Sequence, residues 1–373
     1  MKINILLQSS AQWLTFGSEE TSIAISSRIR LARNIQGYAF PTWAKKIERL
    51  ELVEKIKPLI EKSRAMTEVS LSETMDCFTQ LEKQILVEQH LISREHAAKS
   101  AGSAVVINKD RTVSIMVNEE DHLRIQSFQP ALRLHEAWKL IDELDTELEE
   151  KLPYAFHDKL GYLTACPTNV GTGMRASVML HLPGLVLSEQ INQVIQAVSK
   201  LGLAVRGLYG EGTEALGNLF QISNQTTLGE SETDIVERIT KVTQQLITHE
   251  QNARAMLIEK KPRMLVDQVC RAFGILSSSF SLSSKEALNL LSILRMGVDL
   301  GIFPYNLRTI VDELMITTQP AHLQICWKSK LTTEERDALR ADLIRKKLSG
   351  AKKPDTKKFI KPYTEEKNPN TNE

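Results

Sequence analysis

Apolar and polar positions follow two different periods along the chain, and the change from one period to the other divides it. Short apolar runs predict the two strands of a β-hairpin over residues 104–107 and 112–117. Apolar residues at steps of three and four predict long helices over 129–152 and 231–259. From 261 to 350 the helical period continues almost without interruption. We therefore predict an α+β unit that is followed by a helical one.

The same change in pattern sets the predicted domain boundaries. A chain of 373 residues exceeds one typical domain. We predict a lead-in over 1–20, a first domain over 21–255, a helical domain over 256–350 and a tail over 351–373. Lys, Pro, Thr, Asn and Glu dominate the tail and few apolar residues remain there, so we expect it to be disordered.

Composition narrows the class of protein. Hydrophobic residues make up 42% of the chain and charged residues 25%, which is ordinary for a globular protein. The formal net charge of +1 provides no field that favours nucleic acid or a membrane surface. The 4 cysteines are far apart and form no CxxC pair, which favours reduced thiols over disulfides or a zinc site. No apolar run reaches the roughly 18–20 residues of a membrane span. We expect a cytoplasmic protein that binds neither nucleic acid nor membrane.

The most unusual local pattern is the acidic stretch over residues 118–124, with the sequence Asn-Glu-Glu-Asp-His-Leu-Arg. Its three consecutive carboxylates come directly after the apolar strand over 112–117, and adjacent like charges repel one another. Two interpretations stay open on these residues alone. The stretch is either a solvated acidic turn or a site that binds a cation or takes a proton from one.

Five arginines lie in or beside predicted strand ends and loops. Arg28 and Arg30 are two residues apart, so in an extended segment they point to the same face. The sequence does not provide a carboxylate partner beside each of the five arginines. This favours a polyphosphate ligand, because a guanidinium binds phosphate through two parallel hydrogen bonds. A basic, half-exposed strand is the alternative. The chain contains no GxxxxGKS/T phosphate-binding loop. The five are Arg28, Arg30, Arg124, Arg175 and Arg206.

Four motifs resemble those of the phosphagen (ATP:guanido) kinase family, in the family's order along the chain. Residues 173–179 and 206–212 are similar to the versions in the family's bacterial protein-arginine kinases, which also carry a C-terminal helical domain. The resemblance implies an α+β fold, with a catalytic domain whose antiparallel sheet is flanked by helices, plus the helical domain. The motifs are Ser26-Ser27-Arg28-Ile29-Arg30, the stretch 118–124, Cys166-Pro167-Thr168-Asn169 with Arg175-Ala176-Ser177, and Arg206-Gly207 with Gly210-Glu211.

The resemblance implies transfer of the γ-phosphoryl group of MgATP to a guanidinium nitrogen of arginine residues in proteins. A guanidinium stays protonated and is a poor nucleophile, so carboxylates must align it and accept its proton. By resemblance, Glu120 is the base, Glu211 is a second clamp and Cys166 helps to orient the guanidinium. Mg²⁺ arrives with ATP and has no direct protein ligand; Glu119 meets it through water at most.

The resemblance also implies a set of nucleotide-binding residues. Its arginines replace the lysine of a phosphate-binding loop, and His90 matches a family position near the base. Tyr209 and Met179 stand where small-molecule arginine kinases carry Arg and His, which weakens the case for free arginine as the substrate. The set is Ser26, Ser27, Arg28, Ile29, Arg30, His90, Arg124, Arg175, Ala176, Ser177, Val178, Met179, Arg206, Gly207, Leu208, Tyr209 and Gly210.

Residues 336–341 resemble the RDxxRA motif with which protein-arginine kinases bind phosphoarginine as an allosteric ligand. Arg336 and Arg340 are four residues apart and would share one face of a helix. Alone, the pattern is typical of a solvated, salt-bridged helix. By resemblance, we expect Arg336, Asp337, Arg340 and Ala341 to bind phosphoarginine, and the helical domain to form a homodimer.

The implied partners are protein substrates with exposed arginines, a zinc-containing activator protein and a Clp ATPase. The implied outcomes are the marking of proteins for Clp-type proteolysis or the regulation of a stress-response repressor. Two alternatives stay open. One is a kinase of free arginine or another small guanidino compound, and the other is a non-catalytic adaptor that binds phosphoarginine.

Overall fold

The strands of the computed structural model form one large antiparallel sheet. The structure describes residues 23–207, 216–325, 327 and 329–360. Eight strands pair in the order β2-β3-β4-β5-β1-β8-β10-β9, and β6 and β7 form a separate hairpin. The strands are β1 (Ala24–Arg33), β2 (Val69–Thr74), β3 (Ala104–Asn108), β4 (Val113–Val117), β5 (Leu123–Pro130), β6 (Phe156–His157), β7 (Gly161–Tyr162), β8 (Met174–His181), β9 (Leu203–Gly207) and β10 (Leu219–Asn224).

Helices cover one face of this sheet and build most of the C-terminal part. The helices are α1 (Lys46–Glu61), α2 (Gln80–Glu88), α3 (Arg94–Ala97), α4 (Leu134–Glu149), α5 (Pro183–Leu187), α6 (Ile191–Lys200), α7 (Glu232–Lys260), α8 (Pro262–Ser278), α9 (Ser284–Asp299), α10 (Leu307–Thr317), α11 (Pro320–Ile325) and α12 (Thr333–Leu348). Helix α2 packs on the β2–β4 end of the other face of the sheet. The antiparallel sheet flanked by helices, with a helical C-terminal region, confirms the predicted fold class. Within the described ranges, no helix combines the length and apolar character needed to cross a membrane.

Alternation over residues 28–31 in the middle of strand β1 separates the core from the open face of the sheet. Ile29 and Leu31 are fully buried in the core that α4 and α7 close. Arg28 and Arg30 point to the opposite face, where clefts open between the described residues. The two arginines therefore lie on the same face of the strand, as their spacing predicted.

Strand β5 is one of the elements that the sequence pattern missed. The helix predicted over 129–152 begins only at Leu134, and residues before it form β5. Polar residues hide the alternation, because Arg124 and Gln126 face the clefts while Leu123 and Ile125 are buried on the helix side.

The C-terminal helices share their own apolar core. Helix α7 extends through the predicted boundary at 255 to Lys260, and α8 follows almost at once. A capping box begins α12, where the side chains of Thr332 and Glu335 each bind the other's backbone N–H. Residues 351–360, assigned by composition to a disordered tail, pack on this core: the Asp355 N–H donates to the Ile302 carbonyl at 2.8 Å. The few apolar residues of this segment, Ala351, Phe359 and Ile360, pack against the helical core, although the segment is mostly polar.

Candidate active site

Three neighbouring strands, β5, β1 and β8, bring four of the five predicted arginines onto one surface, and the fifth, Arg206, lies on β9. Arg28 pairs in register with Ser177 of β8, and Arg30 pairs with Arg175 of β8. A cavity of about 150 Å³ lies toward the acidic stretch, and a cavity of about 520 Å³ lies toward His90. Arg30 and Arg124 line both cavities, so they stand at the border between them.

The arginines on this surface repel one another. Burial and the charges of Arg124 and Arg175 lower the pKa of Arg28 to about 10. Burial and the same neighbours, together with Arg28, lower the pKa of Arg30 well below its usual range. Among the described residues, none accepts a hydrogen bond from the buried Nε of Arg30. Burial, then Arg206 and Arg124, also lower the pKa of Arg175. Such a surface fits a multiply charged anion, because an anion would relieve this repulsion.

The acidic stretch is the turn of the β4–β5 hairpin, and it also lines the smaller cavity. The Asn118 N–H donates to the His122 carbonyl at 2.9 Å, and the Glu119 N–H donates to the Asp121 carbonyl at 3.1 Å. Asn118 has a φ of +56° and is held by side-chain hydrogen bonds to the carbonyls of Arg49 and Gly102. The two interpretations from the sequence are therefore compatible: the stretch is a turn, and that turn faces a cavity.

Glu119 is the fixed carboxylate of the turn. It is buried and accepts hydrogen bonds from Arg124 Nη1 at 2.5 Å, the Ser93 hydroxyl and the Glu120 N–H. Burial acts to raise the pKa of Glu119, but Arg124 and these hydrogen bonds outweigh it and lower the pKa. Glu119 therefore stays charged and orients Arg124. These bonds occupy both carboxylate oxygens, which is compatible with contact to Mg²⁺ only through water.

Asp121 holds two loops together beneath the turn. Its Oδ1 accepts from the Ala165 N–H and from Asn34 Nδ2, both at 2.6 Å. Burial raises the pKa of Asp121, and these hydrogen bonds oppose the rise. The bond to Ala165 fixes the backbone next to Cys166, so this aspartate links the acidic turn to the cysteine loop.

Glu120 is the exposed carboxylate at the mouth of the smaller cavity. Burial, and then the charges of Asp121 and Glu119, raise its pKa. Within the described part of the chain, no residue donates a hydrogen bond to its carboxylate. A carboxylate with a raised pKa at a cavity mouth is suited to accept a proton from a cationic ligand.

Cys166 lines the same cavity as Glu120, with its Sγ 3.0 Å from the Thr168 hydroxyl. The structure thus brings two of the three predicted catalytic residues to one cavity. The third, Glu211, lies outside the described residues, as do the predicted nucleotide contacts Leu208, Tyr209 and Gly210.

His90 lies on the side of the larger cavity. Its φ is +60°, and it follows the end of α2. Burial and the charges of Arg28 and Arg94 lower its pKa to about 4, so the imidazole is neutral near pH 7. Arg28, Arg124, Arg206 and Gly207 line this cavity as predicted, and Ser26, Ser177 and Met179 line a narrow cavity beside it, next to His90.

Four predicted nucleotide contacts lie on the other face of the sheet. Ile29, Ala176 and Val178 are fully buried in the core. The Ser27 hydroxyl donates to the Ala131 carbonyl and accepts from the Arg133 N–H, which joins β1 to the start of α4. Alternation along β1 and β8 places every second side chain of each motif away from the cavities. The nucleotide contacts of these four residues stay a prediction, although their side chains face the core.

Several residues around the cavities were missed by sequence reasoning. Gln221 Oε1 accepts from Arg28 Nη2 at 2.8 Å, and Gln126 lines the larger cavity. Ser93 holds Glu119, as described above. Both glutamines interrupt apolar strands, and two-residue spacing from Arg124 would have indicated Gln126. The role of Ser93 depends on a contact across the fold and had no sequence signal.

The predicted phosphoarginine motif lies on α12. Arg340 is 1% exposed; its Nε donates to the Thr318 carbonyl at 2.9 Å, and its Nη1 donates to the Leu282 carbonyl at 2.7 Å and to Asp337 at 2.5 Å. Arg336 donates to the Leu331 carbonyl at 2.9 Å, and Ala341 is fully buried in the helical core. The two arginines therefore do not share an open, solvated helix face. They hold backbone segments of the helical domain.

Comparison with known proteins identifies the family. A model described as the ATP:guanido phosphotransferase C-terminal catalytic domain matches residues 51–253, and one described as the protein-arginine kinase McsB C-terminal domain matches 262–359. A protein-arginine kinase of Halothermothrix orenii is 45% identical over 93% of this chain and 99% of its own length. The chain belongs to the protein-arginine kinases of the ATP:guanido phosphotransferase family.

Other members of this family agree with the assignment. A protein-arginine kinase of Geobacillus sp. (strain WCH70) is 50% identical over 91% of this chain and 94% of its own length. The crystal structure of a lombricine kinase superposes with a TM-score of 0.55 and 26% identity, over 65% of this chain and 69% of that chain. A taurocyamine kinase from Schistosoma mansoni superposes with a TM-score of 0.56 and 27% identity, over 70% of this chain and 39% of that chain. The protein is therefore a phosphotransferase of the guanidino-kinase fold.

Proposed function

We propose that the protein transfers the γ-phosphoryl group of MgATP to a guanidinium nitrogen of arginine residues in other proteins. The observation that carries this proposal is the pair of cavities that meet at Arg30 and Arg124. The larger cavity is lined by arginines whose pKa values are lowered, and it fits a polyphosphate. The smaller cavity is lined by the acidic turn and fits a guanidinium.

Glu120 is the proposed base on the acceptor side. A guanidinium stays protonated at neutral pH because its pKa is far higher, and its nitrogen is a poor nucleophile until a proton leaves. The nitrogen–phosphorus bond forms while the bond from the γ-phosphorus to the ADP oxygen breaks, and the proton passes to Glu120. The raised pKa of Glu120 makes it a better proton acceptor than an ordinary glutamate. Cys166 helps to orient the guanidinium, and Glu211 stays a predicted second clamp.

On the nucleotide side the protein's task is positioning and charge neutralisation, which dominate phosphoryl transfer. Arg28, Arg30, Arg124, Arg175 and Arg206 would hold the phosphates. Two observations fit a polyphosphate: the repulsion between the arginines, and the Nε of Arg30, which finds no acceptor among the described residues. When bound, Mg²⁺ supplies further neutralisation of phosphate charge. The neutral His90 would contact the uncharged part of the nucleotide, away from the phosphates.

A labelling experiment tests this function. The protein is incubated with γ-labelled ATP and either casein or free arginine, and the product is split into acid-treated and untreated halves. Label on casein that is lost in acid supports the proposal, because the phosphorus–nitrogen bond of phosphoarginine is acid-labile. Label only on free arginine would support the small-molecule alternative. Absence of label from both acceptors would favour the non-catalytic adaptor.

We further propose that the protein works as a cytoplasmic homodimer, with Phe280 at the contact between copies. Phe280 is 77% exposed, follows α8 and stacks on Arg345 at 4.1 Å. An aromatic side chain exposed to this extent on the helical domain supports a surface that a second copy covers. The free thiols of Cys77, Cys166 and Cys270 support a reducing compartment. The activator, the Clp ATPase and the repressor are proposed on the resemblance alone.

A further inference from the structure

The catalytic and helical domains meet at a buried carboxylate close to the nucleotide cavity. Glu88 is the last residue of α2 and is 6% exposed. One oxygen accepts the Ala321 N–H at 2.8 Å, and the other accepts the His322 N–H at 3.1 Å and His322 Nδ1 at 2.7 Å. Ala321 and His322 belong to α11 of the helical domain. A buried carboxylate is costly without such partners, so this contact ties α11 firmly to the end of α2.

The end of α2 leads directly into the nucleotide cavity. His90 follows Glu88 by two residues, and its N–H donates to the Val87 carbonyl at 2.9 Å. Gln89, between them, has its Nε2 3.3 Å from His322 Nε2. The His90 carbonyl accepts from Gln126 Nε2 at 3.3 Å, and both His90 and Gln126 line the larger cavity. A short backbone segment, which turns at the positive φ of His90, therefore connects Glu88 to two lining residues.

We propose that Glu88 is a positioning residue for the nucleotide, and that α11 of the helical domain holds it in place. The helical domain thereby completes the ATP site without touching the ligand. Loss of the contact lets the end of α2 move, and His90 moves with it. The inference rests on the proposed function only in taking the larger cavity as the nucleotide site.

The same contact connects the nucleotide cavity to α12. The Thr318 carbonyl, just before α11, accepts from Arg340 Nε at 2.9 Å. After α11, the Leu331 N–H donates to Gln324 Oε1 at 2.9 Å, and the Leu331 carbonyl accepts from Arg336 Nη1 at 2.9 Å. Arg336 and Arg340 thus hold the backbone on both sides of α11.

Two substitutions at the contact and one matched control test the proposal in the full-length protein. Glu88→Gln keeps the shape of the side chain and removes its charge, and His322→Ala removes the imidazole. His322→Asn restores a donor near the position of Nδ1. The control is Glu250→Gln, because Glu250 is also buried and accepts two backbone N–H groups and one cationic side chain, away from the nucleotide cavity.

The readouts are the dissociation constant of ATP by calorimetry, the KM and kcat for casein phosphorylation, and the melting temperature. We expect Glu88→Gln and His322→Ala to weaken ATP binding about tenfold, the loss expected for one charge-assisted hydrogen bond. The KM for casein stays within twofold, and His322→Asn recovers most of the ATP affinity. Glu250→Gln lowers the melting temperature by a similar amount but leaves ATP affinity unchanged.

Equal ATP affinity in the wild type, Glu88→Gln and His322→Ala would overturn the proposal and make the contact purely structural. An equal loss of ATP affinity in Glu250→Gln would also overturn it, since the effect would then follow stability. Failure of the proposed function has a different signature, because the wild type itself would leave casein unlabelled while its ATP affinity could still be compared with that of the variants.

Discussion

Replacing Arg28 by methionine should make the folded protein more stable and its binding of ATP weaker. The pKa of Arg28 is lowered because burial and two like charges, on Arg124 and Arg175, disfavour its protonated form. The unfolded chain has no such neighbours, so it holds the proton more tightly. The charge of Arg28 therefore destabilises the folded state in full at every pH below about 10, and the penalty declines above that value until it vanishes at the higher pKa of the unfolded chain.

The size of the effect follows from the structure. Lowering the pKa to about 10 corresponds to an unfavourable free energy of about 3 kcal/mol. Methionine also loses the hydrogen bond to Gln221, worth about 1 kcal/mol, and the approach to the Phe128 ring at 5.9 Å, worth about 0.5–1 kcal/mol. A net gain of about 1 kcal/mol remains, which in a chain of 373 residues should raise the melting temperature by about 1 °C.

Thermal unfolding without nucleotide and calorimetric titration with ATP measure the two halves of this prediction. Arg295→Met is the matched control, because Arg295 is also buried but donates to Asp312 at 2.8 Å. Removing one partner of a buried ion pair costs about 3–5 kcal/mol, so the control should melt earlier. A lower melting temperature for Arg28→Met with unchanged ATP affinity would refute the reasoning and make Arg28 a structural residue.

Three further predictions concern the acceptor side and the assembly. Because the pKa of Glu120 is raised, kcat/KM should fall as the pH drops through a value above the pKa of an ordinary glutamate. Asp121→Asn removes one of the charges that raise this pKa, so it should move the fall to lower pH. An unmoved pH profile would contradict the role of Glu120 as the base. Cys166→Ser should lower kcat by no more than about tenfold, well below the effect expected of a general base, whereas a larger loss would make the thiol the principal group. In light scattering, the Phe280→Asp variant should be a monomer. The control variant Trp43→Asp changes a side chain that is 81% exposed on the catalytic domain, and it should remain a dimer. Dimers from both variants would exclude Phe280 from the contact.

The sequence predicted the parts of the site that depend on local geometry. Alternation in a strand is fixed by the backbone, so the spacing of Arg28 and Arg30 was sufficient to place both on one face. The same rule assigns Ile29 to the core, but the motif was carried over as a continuous block and included it. Strand β5 was missed because Arg124 and Gln126, which face the cavities, interrupt its apolar pattern.

The remaining features depend on contacts between distant parts of the chain. Glu88 and Ala321 are separated by 233 positions, and nothing in either local sequence indicates their hydrogen bond. Arg340 has the spacing of a solvated helix residue, yet the packing of α12 buries it against two backbone carbonyls. Sequence patterns give the period of an element but do not specify which neighbours satisfy its polar groups.

The most direct test of the central claim is mass spectrometry of casein under non-acidic conditions, after incubation with ATP and either the wild type or Glu120→Gln. We predict phosphoarginine on casein with the wild type. With the variant, phosphoarginine should form about 10²–10⁴-fold more slowly, because the contribution of a general base is lost. Phosphoarginine formed by Glu120→Gln at the wild-type rate, or its absence with the wild type, would contradict the account.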